Sequence, residues 1–324
     1  MQKELIERAK ELLGQGTVNR VIGWKAGEFA YDTTPAVFYT AEELEKSFVF
    51  NRFCGANLSK YLVKESKKEG KILVFLKPCD TYSFNQLIKE HRISREAVYV
   101  VGIPCEGMLD AASIRNQGID GILDVKVDND GSALIYTLYG EQTLPVSDCM
   151  PDRCRNCKGK KHMVYDELIG NDGELADSHR FDEVERLENM TADERFAFWQ
   201  SELSRCIRCN ACRDVCPACT CENCVFNNPK SGMENKAAAD SFEESMYHII
   251  RAFHVAGRCT DCGECSRVCP QHIPLHLLNR KFMKDINEFY GTYLAGEDTD
   301  SRAPLTNYSQ DDANPDIIYR KGGN

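Results

Sequence analysis

The chain has 324 residues, which is enough for two domains that each have their own core. Its formal net charge of −10 argues against nucleic acid or an anionic membrane surface as a partner. The N-terminal segment lacks the apolar core of a signal peptide, and the longest apolar runs are too short to be inserted in a membrane. We therefore expect a cytoplasmic protein whose 17 cysteines are reduced, so that clustered cysteines indicate metal sites rather than disulfides.

A βαβ pattern predicts that residues 1–170 form an α/β domain with a short parallel sheet. The apolar run KILVFL is typical of a strand buried on both faces, and it ends at the turn KPCD. A helix over roughly residues 82–91 follows, and then a second strand, AVYVVGI. Because such a crossover makes neighbouring parallel strands, Cys79 and Cys105 lie just beyond two strand ends, where open sheets bind ligands.

Further thiols follow a predicted helix near residues 109–116 and a strand pair. The spacing Cys154-x2-Cys157 supplies a metal-ligand pair, and with the two strand-end thiols it makes a set of four. This set predicts a third 4Fe–4S cluster, with a zinc site as the main alternative. If one of these four cysteines is not a ligand, Cys149 is the first candidate to take its place. Cys54, which is predicted to be a buried packing thiol, is the second.

Composition changes after this region. Residues 171–200 are acidic and polar, which predicts a linker that ends in a helix opened by a capping box at Thr191 and Glu194. Residues 201–295 form a predicted helical, ferredoxin-like domain with two clusters. Residues 296–324 form a polar tail that is either disordered or an arm that orders on a partner.

Two runs of the form Cys-x2-Cys-x2-Cys-x3-Cys-Pro dominate the second half. In such a run, three thiolates surround one 4Fe–4S cluster and the fourth serves the other cluster. The predicted crossed sets are Cys206, Cys209, Cys212 and Cys269 for one cluster, and Cys259, Cys262, Cys265 and Cys216 for the other. Zinc needs only paired Cys-x2-Cys units, so it does not explain the third cysteine or the Cys-Pro ending.

Three more cysteines follow the first run directly, as Cys219-x-Cys221-x2-Cys224. They are either spare thiols near a cluster or three ligands of a fourth metal site. That site would hold a cluster or zinc, and Cys54 or Cys149 would supply its fourth ligand. A capping box at Ser241 then opens a helix with one apolar face, formed by Phe242, Met246, Ile249, Ile250 and Phe253. For His248 and His254 near this helix, packing or surface roles are expected rather than ligation.

The phrases CIRCNACRDVCPACTC and HVAGRCTDCGECSRVCPQHIPL resemble the dicluster 4Fe–4S domain of anaerobic oxidoreductase subunits. The first half resembles the beta subunits of deazaflavin-reducing hydrogenase and formate dehydrogenase, whose ordered cysteines fall here on Cys79, Cys105, Cys154 and Cys157. The turn CPACTC is also similar to the iron–sulfur subunits of anaerobic sulfite reductase and sulfhydrogenase. The order of parts differs, because the ferredoxin motifs follow the α/β domain here instead of preceding it.

This resemblance implies an electron-transfer iron–sulfur subunit of an anaerobic oxidoreductase complex, with other redox subunits as partners. No Ser–His–Asp pattern, P-loop or paired carboxylates indicates catalysis by the chain itself. The second hypothesis is a flavin-containing subunit that reduces a diffusible carrier such as a deazaflavin, although the sequence lacks GxGxxG. The third hypothesis is a structural zinc-binding interaction module.

Overall fold

The computed structural model describes residues 1–176, 179–228 and 241–306. The strands are β1 (Arg20–Ala26), β2 (Thr33–Phe38), β3 (Phe48–Val49), β4 (Ile72–Leu76), β5 (Val98–Gly102), β6 (Ile122–Val127), β7 (Ser132–Thr137), β8 (Gly140–Pro145) and β9 (Glu167–Leu168). The helices are α1 (Gln2–Gly14), α2 (Ala41–Ser47), α3 (Leu62–Glu65), α4 (Pro78–Lys89), α5 (Ala111–Arg115), α6 (Asp152–Arg155), α7 (Asp182–Glu188), α8 (Ala192–Ser204), α9 (Ala211–Asp214), α10 (Ser241–Val255), α11 (Glu264–Arg267) and α12 (Leu275–Tyr290). Across these described ranges, no helix has the length and apolar character needed to cross a membrane.

The larger sheet confirms the predicted α/β architecture. Its strand order is β2-β1-β4-β5-β9, with β3 also paired to β1, and β1, β4, β5 and β9 run parallel. The predicted βαβ unit is β4-α4-β5, and every residue of β4 is buried. The register pairs Leu76 with Gly102, so Cys79 and Cys105 each lie three residues beyond a matched strand end. Both cysteines therefore leave the sheet at the same edge.

The crossover helix begins earlier than the predicted residue 82. Helix α4 starts at Pro78, so Cys79 lies in its first turn instead of in a turn before it. Proline has no backbone N–H, but the first helical position has no partner for that group, so proline is well tolerated there. The consequence is that the Cys79 sulfur is fixed by a helix rather than by a loop.

A second sheet occupies the region where only a strand pair is predicted. Strands β6, β7 and β8 form a three-stranded antiparallel sheet, and the short helix α5 packs beside it. Cys149 is fully buried in the apolar core of this sheet, together with Ile114 and Ile135. Cys54 is equally buried in the core of the larger sheet, as predicted for a packing thiol.

Helix α8 begins with the predicted capping box, in which Thr191 and Glu194 bond each other's backbone amides. Helix α10 also forms where predicted, but the side chain of Ser241 is outside the described residues, so its capping box is untested. The apolar face of α10 is turned outward: Phe242 is 69% exposed and Phe253 is 61% exposed. Met246 and Ile249 are exposed as well.

The opposite, polar face of α10 is the buried one. The Tyr247 hydroxyl donates to the Asn210 side-chain oxygen at 2.7 Å, and Arg251 Nη2 donates to the carbonyl of Cys212 at 2.8 Å. These bonds hold the loop of the first cysteine run. These hydrogen bonds offset part of the cost of burying the polar face of this helix.

The α/β half and the helical half share a polar, buried interface. Ser83 Oγ and Thr260 Oγ1 are 2.8 Å apart, and Arg153 Nη1 donates to the Cys262 carbonyl at 2.6 Å and to Glu264 at 2.7 Å. After α12, the first part of the predicted tail packs against α4, because Gly296 lies against the carbonyl of Tyr82. Residues 307–324 of the tail lie outside the described residues.

Candidate metal centres

The first cysteine run and the last cysteine of the second run line one small cavity. We call it the Cys206 site, and its four cysteines are Cys206, Cys209, Cys212 and Cys269. The cavity has a volume of about 20 Å³. The backbone amide of Arg208 donates to the Cys206 sulfur at 3.4 Å. This is the crossed grouping that the Cys-Pro endings predict, although ligation itself stays a prediction.

The second run forms a matching cavity with the last cysteine of the first run. We call it the Cys259 site, and its four cysteines are Cys259, Cys262, Cys265 and Cys216. Its volume is about 10 Å³. Both runs have positive φ at the second and fourth positions after their first cysteine: Arg208 and Asn210 in one, Asp261 and Gly263 in the other. Positive φ reverses the local direction of the chain, so each loop curls around its three thiols.

A third, larger cavity lies at the edge of the parallel sheet. We call it the Cys79 site, and the cysteines that line it are Cys79, Cys105, Cys154 and Cys157. Its volume is about 630 Å³. Neither Cys149 nor Cys54 lines it, because both are buried in the apolar cores of the two sheets. The two strand-end thiols and the Cys-x2-Cys pair thus converge as the sequence predicts.

Burial keeps several thiols of these sites protonated when no metal is bound. Burial raises the pKa of Cys105 to about 11 and the pKa values of Cys262 and Cys265 to about 12. Metal ligation requires the thiolate, so loading each site must release protons.

The spacing of the sulfurs differs from that of a site around a single zinc ion. Within the described residues, the only three ligand atoms that all lie within 4.8 Å of one another belong to Cys206, Glu244 and His248. In a zinc site, sulfurs about 2.3 Å from the metal lie about 3.8 Å apart. A cubic cluster binds each thiolate on a different iron and so needs a wider set. In none of the four-cysteine sets do three sulfurs lie within 4.8 Å of one another.

His248 is one residue whose position could not be read from the sequence. It is buried beside Cys206, and neither of its ring nitrogens has a hydrogen-bond partner among the residues that the structure describes. Burial lowers its pKa to about 3, so the ring is neutral. The sequence patterns also did not single out Arg153 and Arg251 as residues beside the sites. The available signal was the polar stripe of Glu244, His248 and Arg251, spaced at helical intervals opposite the apolar face.

The three sites touch one another in a row. Cys206, Cys212 and Cys265 belong to one apolar cluster, which places the Cys206 site against the Cys259 site. Asp261 and Cys262 line both the Cys259 site and the Cys79 site, which places those two side by side. The order is therefore Cys206 site, Cys259 site, Cys79 site.

The remaining thiols lie on the other side of the Cys259 site. Cys219, Cys221 and Cys224 line a fourth cavity, of about 400 Å³, which neither Cys54 nor Cys149 reaches. Cys219 packs with Cys216 and Cys259. A hydrogen bond from Cys219 also lowers the pKa of Cys216 to about 5. The fourth cavity thus directly adjoins a predicted cluster ligand.

Comparisons with known proteins agree with the presence of a 4Fe–4S dicluster domain. A sequence model described as a 4Fe–4S dicluster domain matches residues 202–273. The chain is 24% identical over 355 aligned residues to F420-dependent formate dehydrogenase subunit beta of Methanocaldococcus jannaschii, and the alignment covers 92% of each chain. It is also 24% identical to F420-dependent formate dehydrogenase 1 subunit beta of Methanococcus maripaludis, over 67% of this chain and 72% of the relative.

One solved structure is also similar, a chain of the F420-reducing NiFe hydrogenase complex from Methanosarcina barkeri. The two share 13% sequence identity with a TM-score of 0.37, over 63% of this chain and 86% of the other. The sequence relatives match 92% and 67% of this chain, and the dicluster model matches residues 202–273. The protein contains a 4Fe–4S dicluster domain and is a homologue of the beta subunits of F420-dependent formate dehydrogenases.

Proposed function

We propose that this chain is the electron-transfer subunit of an anaerobic oxidoreductase complex in the cytoplasm, with 4Fe–4S clusters at the Cys206, Cys259 and Cys79 sites. The observation that carries the proposal is the row of three adjacent four-cysteine sites. A 4Fe–4S cluster supplies one-electron chemistry at a potential set by charge, hydrogen bonds and burial. Adjacent sites of this kind form a relay through the chain.

The surrounding side chains would tune such a relay. Arg251 is 2% exposed, and its carbonyl contact at Cys212 places its positive charge beside the Cys206 site. Arg153 occupies the equivalent place between the Cys79 and Cys259 sites, with its charge shared by Glu264. Buried positive charge favours the reduced, more negative state of a cluster, so both arginines would raise the reduction potentials of their neighbours.

The test is a joint analysis of iron, acid-labile sulfide, zinc and flavin in one anaerobically purified sample. We expect at least about twelve irons and twelve sulfides per chain, because each of three cubic clusters contains four of each. Zinc without iron or sulfide would instead establish a structural zinc module. Fewer than about eight irons would contradict even the two-cluster part of the proposal.

A flavin-containing subunit is the alternative that the same sample decides. The Cys79 site has a volume of about 630 Å³, which lies within the usual range of small-molecule pockets and leaves room beside four thiols. A flavin absorption band in the pure protein, in about equimolar amount, would support this second function. If a fully iron-loaded protein contained no flavin, electron transfer through the clusters would be the remaining function.

The partner is expected to be another subunit of the same complex, docked on the outward apolar face of α10. The homologues are named as subunits, and a contiguous exposed apolar stripe on a helix is typical of an interaction site. The buried side of the same helix contacts the Cys206 site, so a subunit on α10 lies one helix diameter from that site, about 10 Å.

Replacing both Phe242 and Phe253 with aspartate is expected to dissociate the complex isolated from the native host. Both side chains are exposed, so the fold should tolerate the change, whereas an apolar interface should not. Size-exclusion chromatography with mass detection would then show a free chain of 36.7 kDa with normal iron content. Tyr139→Asp, an exposed change on the second sheet, is the control. An intact complex in the double variant would exclude α10 as the docking face.

A further inference from the structure

The fourth cavity combines three thiols with an unusually basic lining. Its cysteines are Cys219, Cys221 and Cys224, and its basic residues are Lys60, Lys64, Arg213, Arg251 and Arg258. Asp214 is the one carboxylate among its lining residues. This lining suits an anionic occupant that also binds thiolates.

The loop that carries the thiols is held by the α/β half of the protein. Lys60 Nζ donates to the carbonyl of Cys219, and Arg92 Nη2 donates to the carbonyl of Thr220 at 2.7 Å. The amide of Cys219 also donates to the carbonyl of Cys216 at 3.1 Å. Spare cysteines at the end of a ferredoxin motif would not require a loop fixed from both halves of the chain.

The positive charge of the cavity is only partly balanced. Arg213 pairs with Asp214 at 2.9 Å, and Arg258 pairs with Glu90 at 2.5 Å. In contrast, the half-buried Lys60 forms no ion pair with any carboxylate that the structure describes, and it donates to the carbonyl of Cys219. A half-buried cation without a counter-charge favours an additional anionic group here.

The spacing of the sulfurs bears on which thiolate-bound group fits. The three sulfurs do not lie within 4.8 Å of one another, although sulfurs around one zinc ion lie about 3.8 Å apart. A cubic cluster is compatible with the wider spacing, since its thiolates bind separate irons.

We propose that Cys219, Cys221 and Cys224 bind a fourth 4Fe–4S cluster whose last iron takes a ligand other than cysteine. Cys54 and Cys149, which the sequence suggests as completing thiols, are buried in the cores of the two sheets. The last iron therefore faces the cationic wall of the cavity, where Asp214 and His254 are the other side chains able to ligate it. This inference rests on the iron–sulfur function proposed above.

The position of this cluster changes the shape of the relay. Cys219 packs against Cys216 and Cys259, so the fourth cluster adjoins the Cys259 site. That site would then have three neighbouring clusters. It becomes a branch point where an electron lost by one cluster can reduce either of two others, instead of the middle of a linear chain.

The test compares Cys221→Ser and Cys224→Ser with the wild type and with Cys149→Ser, all purified anaerobically. Cys219 is left intact because it contacts a ligand of the Cys259 site. We expect about sixteen irons and sixteen sulfides in the wild type and about twelve in either loop variant. The reduced loop variants should lack one electron paramagnetic resonance signal and retain the others. The control should match the wild type.

Two results would overturn the proposal. One is full iron and sulfide in both loop variants, which would make these cysteines structural. The other is a loss of about one zinc with no loss of iron, which would make the site a zinc site. Failure of the broader iron–sulfur function is distinguishable, because the wild type itself would then lack the iron of the Cys206 and Cys259 sites.

Discussion

Replacing Cys79 with alanine is expected to remove about four irons and four sulfides per chain while sparing the clusters of the ferredoxin-like half. Cys79 lies in the first turn of α4 and lines the cavity with three other thiols. Three thiolates would leave one iron without its protein ligand. Alanine keeps the helix, because it has the highest helix propensity, so the loss would reflect ligation rather than unfolding.

The measurement is iron and sulfide content together with the resonance spectrum of the reduced protein. Cys105→Ala should behave in the same way, because Cys105 leaves the sheet at the same edge. Cys149→Ala is the matched control, since Cys149 lies in the core of the second sheet and should not affect iron content. Full iron in the Cys79 variant with a loss in the Cys149 variant would refute the assignment. A loss of zinc instead of iron would make the α/β half a docking platform.

The second large effect concerns crossed ligation. Replacing Cys216 with alanine is expected to remove the cluster of the Cys259 site, although Cys216 belongs to the first run. Replacing Cys269 is expected to remove the cluster of the Cys206 site, although Cys269 belongs to the second run. Each variant should lose about four irons, because a cubic cluster with three thiolates is not held firmly.

Paired spectra identify which cluster is lost. The Cys216→Ala protein should lack the same signals of the reduced protein as Cys259→Ala, and the Cys269→Ala protein should lack the same signals as Cys209→Ala. If Cys216→Ala matched Cys209→Ala instead, each run would bind its own cluster with all four cysteines. Cys149→Ala again gives the reference spectrum with every signal present.

The sequence alone was enough to predict the features that depend on short-range spacing. Three thiols within seven residues can only surround a nearby group, so the two runs indicate clusters before any fold is known. The same holds for the buried strands β4 and β5 and the helix between them, because their apolar patterns reflect burial on both faces. The capping box of α8 is equally local, since its two residues are three apart.

Tertiary packing decided the features that join distant parts of the chain. The sequence ranked Cys79 and Cys105 ahead of Cys149 and Cys54 as partners of the cysteine pair. It could not show that the cores of the two sheets bury the last two. It also could not show that the polar face of α10 points inward, since hydrophobic periodicity identifies a face but not its partner. That orientation results from hydrogen bonds to Asn210 and Cys212, residues more than thirty positions away.

The order of the sites has the same origin. Arg153 reaches the carbonyl of Cys262 across 109 positions of sequence, and this contact brings the Cys79 site against the Cys259 site. Local spacing fixes which atoms can bind one cluster, because the chain connecting them is short. The distance between clusters depends on how the α/β half and the helical half pack, and that packing is set by side chains far apart in the sequence.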